Sequence, residues 1–269
     1  MHTREEKLQA FGRLLDVLDE LREKCPWDHK QTNESLRPNT IEETYELCDA
    51  LERGDTADER KELGDVLLHI CFYAKIAQEK ELFDIADVCQ SLVDKLIYRH
   101  PHIYGHVKAE TAEAVADNWE KLKEHEKGGN KTVLGGVPKS LPSLIKAFRI
   151  QEKASHVGFD WSDKNDVWGK VKEEIAEYEE AAEKGDAKGK EAEFGDLLFS
   201  LVNAARLYGI NPDNALELTN RKFTMRFNHI EARAKAAGHD VSDLTLKEMD
   251  DLWNEAKSLE NKPIKHDKR

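Results

Sequence analysis

The sequence contains little proline, glycine or aromatic residue: 7 prolines, 15 glycines and 7% Phe, Trp and Tyr among 269 residues. This scarcity of helix breakers, together with 39% hydrophobic and 35% charged residues, predicts a folded, helix-rich protein. No stretch approaches the roughly 18 apolar residues of a membrane span, and the first residues lack the apolar run of a signal peptide. We therefore expect a cytoplasmic protein that does not insert into a membrane.

The sequence also lacks the cysteine and histidine patterns of common metal sites. Its cysteines are Cys25, Cys48, Cys71 and Cys89, and no two of them form a CxxC pair. This argues against a disulfide framework and a zinc ribbon, so we expect reduced thiols, most of them buried. The Glu-x-x-His motif of di-iron carboxylate bundles is absent too, which argues against that class.

Basic residues are fewer than acidic ones: the chain has 41 Lys and Arg and 54 Asp and Glu, which gives a net charge of −13. Phosphate backbones bind basic surfaces, so this balance argues against a nucleic-acid polymer as a partner. A small phosphorylated ligand remains compatible with it, because divalent metal ions neutralise carboxylates and phosphates together.

Helical periodicity recurs along the chain, whereas alternating β-branched runs and Asn-Gly or Asp-Gly turns do not occur. We predict an all-α fold. One helix is predicted to bury an apolar stripe at positions i, i+3, i+4, i+7 and i+11, formed by Leu63, Val66, Leu67, Ile70 and Ala74.

The main interruption is residues 128–142, GGNKTVLGGVPKSLP, which collects four glycines and two prolines. This composition predicts a linker between an N-terminal helical domain, residues 1–127, and a C-terminal one, residues 143–269. The Gly-Asn-Lys-Thr sequence in the linker superficially resembles a phosphate-binding P-loop, but the upstream glycine, the strand and the spacing of that motif are missing.

The two domains contain the same unit. Residues 42–74 align without a gap with residues 173–205, at an offset of 131 (173 − 42), and their Glu, Gly and Asp positions coincide. Further on the offset shifts by a few residues, and the matching pairs are Lys95 with Lys222, Arg99 with Arg226, and Trp119 with Trp253. A duplication of one unit explains this pattern.

Each copy is predicted to form two antiparallel helices. An Arg-Gly-Asp or Lys-Gly-Asp segment, at 53–55 and 184–186, supplies a glycine where the first helix should end. The second helix is then expected to begin near Thr56 or Ala187.

Each pair of helices places carboxylates on one side. In the second copy Glu174 and Glu177 stand three apart, as do Glu193 and Asp196, so each pair shares a helix face. Four converging carboxylates repel one another by on the order of several kcal/mol, and oxygen-only ligands favour Mg²⁺ or Mn²⁺ as the neutralising ion. The first copy has the equivalent set, Glu43, Glu46, Glu62 and Asp65. A solvated acidic face is the alternative, but its repetition in register argues against it.

A glycine stands between the acids in both copies, at Gly64 and Gly195. A glycine inside a helix costs up to about 1 kcal/mol relative to alanine. We expect a close approach to the backbone at both positions, by a neighbouring helix or, less favoured, by a ligand.

Cationic and aromatic residues accompany the acids. Lys222 and Arg226, at i and i+4, form one face that could meet phosphate oxygens, and Lys170 lies one turn before Glu174. An ordinary exposed pair is the alternative for the first two. Trp253 could stack on a nucleobase, with core packing as its alternative.

This combination resembles the MazG family of nucleoside triphosphate pyrophosphohydrolases, through EExxE followed by ExxD and a downstream KFxxR. The resemblance covers nearly the whole chain and includes KCPWDHKQT, RHPHIYG, VPKSLPSL and VGFDW. It implies an all-α, Mg²⁺-dependent homodimer that converts nucleoside triphosphates to monophosphate and pyrophosphate in nucleotide-pool housecleaning. Mn²⁺ is the expected substitute for Mg²⁺.

Carried over position by position, the resemblance implies the site residues of the second copy. The metal-binding and catalytic residues would be Glu174, Glu177, Glu193 and Asp196, and the nucleotide-binding residues would be Lys170, Lys222, Arg226 and Trp253. Glu173 is a weak candidate for the general base. The first copy has Asn39 where the second has Lys170, so we expect the second copy to be the main catalytic unit.

A catalytically silent nucleotide-binding or scaffold protein is the main alternative. Intact acids in both copies argue against it. Broad base specificity is expected, because tryptophan stacks on any base.

Overall fold

The computed structural model describes residues 1–107, 111, 115, 118–119, 122–123 and 132–260. These residues form helices, turns and loops, with no strand among them, which confirms the predicted all-α class. Within these ranges no helix is both long enough and apolar enough to cross a membrane. The chain divides into two compact units, Met1–Leu122 and Lys123–Arg269. The domain limits at 127 and 143 stay predictions, and residues 128–131 of the predicted linker lie outside the described residues.

The first unit is built around a pair of antiparallel helices. Its helices are α1 (Arg4–Lys24), α2 (Asn33–Arg53), α3 (Thr56–Gln78), α4 (Ile85–Arg99) and the short α5 (Pro101–Tyr104). Side chains of Thr32 and Asp55 cap the first turns of α2 and α3. Helices α1, α2 and α4 all pack against α3. The core consists of Leu18, Leu36, Cys71, Phe72 and Ile76.

The second unit repeats this pair of helices. Its helices are α6 (Ser143–His156), α7 (Val167–Glu183), α8 (Ala187–Leu207), α9 (Pro212–Ala236) and α10 (Leu246–Glu260). Helix α7 packs against α8, α6 packs against α8 and α9, and α10 packs against α9. Buried aliphatic residues hold these helices together, among them Val167, Val171, Val202, Ile230 and Ala256.

The predicted turns are confirmed. Gly54 and Gly185 adopt φ of 65° and 68°, the left-handed conformation that a side chain disfavours, and the chain reverses at both points. Helix α3 begins at Thr56 and α8 begins at Ala187, as expected.

Two expectations about burial were wrong. Cys71 is buried and Cys25 half-buried, but Cys48 and Cys89 are exposed, although all four are free. Of the predicted apolar stripe on α3, Ala74 is buried, whereas Leu63, Leu67 and Ile70 are exposed. The core lies instead around the neighbouring Cys71 and Phe72, so a second apolar face of α3 is left uncovered in this chain.

Candidate active site

The acids of the second unit converge across α7 and α8. Carboxylate oxygens of Glu174, Glu177 and Glu193 lie within 4.8 Å of one another. Glu174 is buried, Glu193 is half-buried and Glu177 is exposed. Asp196 lines the same cavity as these three but lies outside their close group. The i, i+3 spacing predicted this shared face, and the glycine turn brings the two faces together.

Negative charge accumulates in this cluster. The pKa of Glu177 is raised by partial desolvation of its carboxylate and by the neighbouring Glu174 and Glu193 carboxylates. Lys170 offsets part of this charge, because its Nζ lies 2.6 Å from Glu174 Oε1 and 2.9 Å from Glu173 Oε1. These two carboxylates raise the pKa of Lys170, so the side chain remains an ammonium. Glu173 is thereby engaged by Lys170 and does not join the close group.

The cluster can hold a metal ion. Its donors are carboxylate oxygens from two rigid helices, the ligand type that hard divalent cations prefer. Lys170 is shared between Glu173 and the triplet, so a divalent cation would neutralise much of the negative charge that remains. The residues therefore fit a divalent cation by charge and by donor chemistry.

A cavity of about 990 Å³ extends from the carboxylates, at the upper end of the size range of small-molecule sites. Lys170, Glu174, Glu177, Glu193 and Asp196 line one part of it. The remaining wall combines apolar and polar residues, including Gln151, Trp161, Phe199, Asn203 and Arg206. A pocket with one anionic, metal-ready region and a larger mixed region suits a ligand that has a polyphosphate and an organic part.

This wall contains an ion pair that was not predicted from the sequence. Arg206 donates to both carboxylate oxygens of Asp160, at 2.9 and 2.5 Å, and also to Asn203 Oδ1 at 2.8 Å. Asp160 belongs to the VGFDW segment, which marks the region, but its partner lies 46 residues away. The thirteen residues from Glu193 to Arg206 are about three and a half turns of α8, so their spacing did not indicate that both line one cavity.

Asp160→Asn is expected to destabilise the protein by about 2 kcal/mol at pH 7, because Arg206 loses a charged acceptor. The guanidinium holds the pKa of Asp160 below its ordinary value of 3.8. A lowered folded-state pKa contributes stability above the unfolded pKa, and that contribution is lost as pH falls through the folded pKa. Urea unfolding should therefore show a gap between wild type and variant that is constant from pH 7 to pH 5 and narrows below about pH 4. A gap that is absent at pH 7 would contradict this.

Lys222, Arg226 and Trp253 lie outside the cavity wall, on α9 and α10. Arg226 donates to both carboxylate oxygens of Glu260, at 2.7 and 2.8 Å, and lies 5.1 Å from the centre of the Trp253 ring. Lys222 is exposed. Within one chain the structure thus brings Lys170 to the predicted acids and keeps the other three predicted nucleotide-binding residues in a separate cluster.

The first unit has a similar cluster with a different membership. Carboxylate oxygens of Glu43, Glu62 and Asp65 lie within 4.8 Å of one another, and Glu46 lies outside this group. Burial raises the pKa of Glu43, and the nearby Asp65, Glu46 and Glu62 raise it further. Both copies therefore hold a triplet of close carboxylates.

A neighbouring helix was the favoured explanation for Gly64 and Gly195, and within this chain that expectation was wrong. A Cβ added at either glycine would meet no atom within 4 Å. Both positions face open space in the part of the chain that the structure describes.

Comparison with known proteins finds relatives along nearly the whole chain. The MazG nucleotide pyrophosphohydrolase domain matches the chain twice, at residues 31–104 and 166–231. The chain is 42% identical over 250 residues to the nucleoside triphosphate pyrophosphohydrolase/pyrophosphatase MazG of Thermotoga maritima, covering 92% of this chain and 95% of that protein. It is 41% identical over 260 residues to the nucleoside triphosphate pyrophosphohydrolase of Escherichia coli K12, covering 94% and 99%.

An uncharacterized Bacillus subtilis protein, YabN, is 45% identical over 268 residues, which cover 96% of this chain and 54% of that protein. The two domain matches include both carboxylate triplets, Lys170, Lys222 and Arg226, whereas Trp253 lies beyond the second match. The similarity extends along nearly the whole chain in relatives of nearly the same length. This chain therefore belongs to the MazG family.

Proposed function

We propose that this protein is a Mg²⁺-dependent enzyme that hydrolyses nucleoside triphosphates to the monophosphate and pyrophosphate, with broad base specificity, in nucleotide-pool housecleaning. The observation that carries the proposal is the carboxylate triplet with Lys170 in the wall of a nucleotide-sized cavity. The names of the Thermotoga maritima and Escherichia coli relatives support the reaction.

In this proposal the residues of the second unit have different roles. Glu174, Glu177 and Glu193 would hold the metal, with Asp196 as a further ligand in the same wall. When bound, Mg²⁺ supplies Lewis-acid activation of phosphate and lowers the pKa of a bound water. The ammonium of Lys170 contacts a phosphate oxygen and stabilises the charge that develops as the phosphoanhydride bond breaks.

The remaining wall of the cavity positions the nucleoside. Trp161 and Phe199 offer apolar and aromatic surface that accepts any base, which supports broad specificity. The Asp160–Arg206 pair fixes the polar side of this wall. The proposal keeps the predicted nucleotide-binding role of Lys222, Arg226 and Trp253. Within one chain they lie away from the cavity, so this role requires assembly with a second subunit.

A homodimer is part of this proposal. Helix α3 exposes three apolar residues, Leu63, Leu67 and Ile70. The equivalent positions of the second repeat, 131 residues later on α8, are also apolar and 41–49% exposed: Phe194, Leu198 and Leu201. An uncovered apolar stripe retained in both copies is typical of a helix face that pairs with another subunit. Light scattering tests this against the mass of one chain, 30.8 kDa.

The reaction is tested by incubating the purified protein with Mg²⁺ and a panel of ribo- and deoxyribonucleoside triphosphates, with products separated by chromatography. We expect monophosphate and pyrophosphate from several bases, and loss of product formation when EDTA removes the metal. Diphosphate and orthophosphate would contradict the proposed bond cleavage. Binding of nucleotides without any product would favour the alternative, a catalytically silent nucleotide-binding or scaffold protein.

A further inference from the structure

One buried side chain in the cavity wall has a polar atom without a partner. Gln151, on α6, lines the cavity and is 6% exposed. Its Nε2 donates to the main-chain carbonyl of Phe199 at 2.7 Å, but its Oε1 has no hydrogen-bond partner among the residues that the structure describes. Buried acceptors without a partner are costly and rare in folded proteins. In the wall of a ligand-sized cavity, such an acceptor indicates a donor on the ligand.

The bond to α8 fixes the direction in which the amide of Gln151 faces. A main-chain carbonyl only accepts hydrogen bonds, so the amide nitrogen must face Phe199 and the amide oxygen must face away from it. The group that meets Oε1 therefore has to carry a hydrogen. Phosphate oxygens are acceptors and do not fit, so the partner belongs to the nucleoside part of the ligand.

The position of Gln151 along α8 also favours the nucleoside. Its partner Phe199 stands six residues after Glu193, about 9 Å along the helix axis from the carboxylates that would hold the metal and the phosphates. Trp161 and Phe159 line the same cavity, and Phe159 is 82% exposed. Aromatic surface of this kind suits the flat ring of a nucleobase.

We infer that Gln151 recognises the nucleobase, because its Oε1 accepts a hydrogen bond from an N–H group on the Watson–Crick edge of the base. This inference rests on the proposed function, which places a nucleoside in this cavity. Adenine, cytosine, guanine and uracil all carry an N–H group on that edge, so one acceptor serves each of them and agrees with broad base specificity. Oε1 is covered in the free protein, and the side chains around it shift when the base enters, as is common at binding sites.

The test compares two nucleotides on the full chain, ATP and purine riboside triphosphate, in which hydrogen replaces the 6-amino group of adenine. In the wild type we expect kcat/KM to be at least about 10-fold higher for ATP, because the analogue leaves the acceptor of Gln151 unpaired. Gln151→Met keeps the length of the side chain without the acceptor and should make the two kcat/KM values nearly equal.

Ser200→Ala is the matched control. The Ser200 hydroxyl belongs to the same wall but already donates to the Leu197 carbonyl at 2.8 Å, so its removal should leave the preference for ATP as it is in the wild type. Circular dichroism should show that both variants retain their helices.

The preference for ATP separates recognition of the base from a structural role, since a residue that only supports α8 would change kcat/KM for both nucleotides alike. Equal kcat/KM values in the wild type, or a preference that Gln151→Met leaves unchanged, overturn the inference while the proposed function stands. If neither nucleotide is hydrolysed, the proposed function fails. The same comparison of the wild type and Gln151→Met is then made on calorimetric dissociation constants measured with Mn²⁺, where the same two outcomes overturn the inference.

Discussion

Glu193→Gln is expected to lower kcat for pyrophosphate release by about 1000-fold, the size of effect seen when a key electrostatic group of an active site is removed. The substitution keeps the shape of the side chain but removes the charge that it contributes to the triplet with Glu174 and Glu177. An amide is a poorer ligand for a hard cation than a carboxylate. Initial rates of pyrophosphate release at saturating Mg²⁺ and nucleotide measure the loss, and calorimetry with Mn²⁺ should show weaker metal binding.

Glu62→Gln is the matched control for that experiment, because it removes the equivalent carboxylate of the first repeat. We expect most of the activity to remain, since the large cavity lined by the acids and Lys170 belongs to the second unit. Comparable losses of kcat in the two variants would overturn the ranking of the second copy as the main catalytic unit.

The local fold could be predicted because it depends on single residues. A glycine followed by an aspartate ends one helix and caps the next, and Gly54 and Gly185 fold in that way. The apolar stripe on α3 shows the limit of such reasoning. Periodicity identifies an apolar face, but it does not say what covers that face, and Leu63, Leu67 and Ile70 are exposed in a single chain.

The site could be predicted where its residues lie close together in sequence. Three of the four acids converge with Lys170, which lies one turn before Glu174. Asp196, three residues after Glu193, lines the cavity but lies outside the close group. The Asp160–Arg206 pair could not be derived, because its partners are joined by tertiary packing across 46 residues. Arg226 and Trp253 do lie side by side, but the chain does not bring them to the cavity.

Lys61, whose Nζ lies 2.6 Å from Glu62 Oε1, was missed for a different reason. An ungapped alignment compares residues position by position. Asn39, at the position of Lys170, was therefore interpreted as the loss of a cation from the first repeat. In each copy a lysine bonds to a buried carboxylate on its own helix, Lys61 to Glu62 and Lys170 to Glu174. The electrostatic requirement is a positive charge at the buried carboxylate, and the sequence position that supplies it is free to change.

Lys170→Asn places in the second repeat the residue that the first repeat has, and it is expected to lower kcat/KM about 100-fold. The ammonium bonds to Glu174 in the free protein and, as proposed, to a phosphate oxygen in the complex, and a charge-assisted hydrogen bond is worth about 2–3 kcal/mol. Steady-state kinetics with the best nucleotide of the panel provide the measurement. A loss below about threefold would show that Lys170 only balances the charge of the free protein.

Lys170→Asn/Ala192→Lys then reproduces in the second repeat the arrangement of the first, with the lysine next to Glu193 as Lys61 is next to Glu62. If the charge matters and its sequence position does not, kcat/KM of the double variant should be at least about tenfold higher than that of Lys170→Asn. Ala192→Met in the same background adds a side chain of similar length without charge and should recover none. Failure of the lysine to restore activity, with folding intact, would mean that the reaction needs an ammonium approaching from α7.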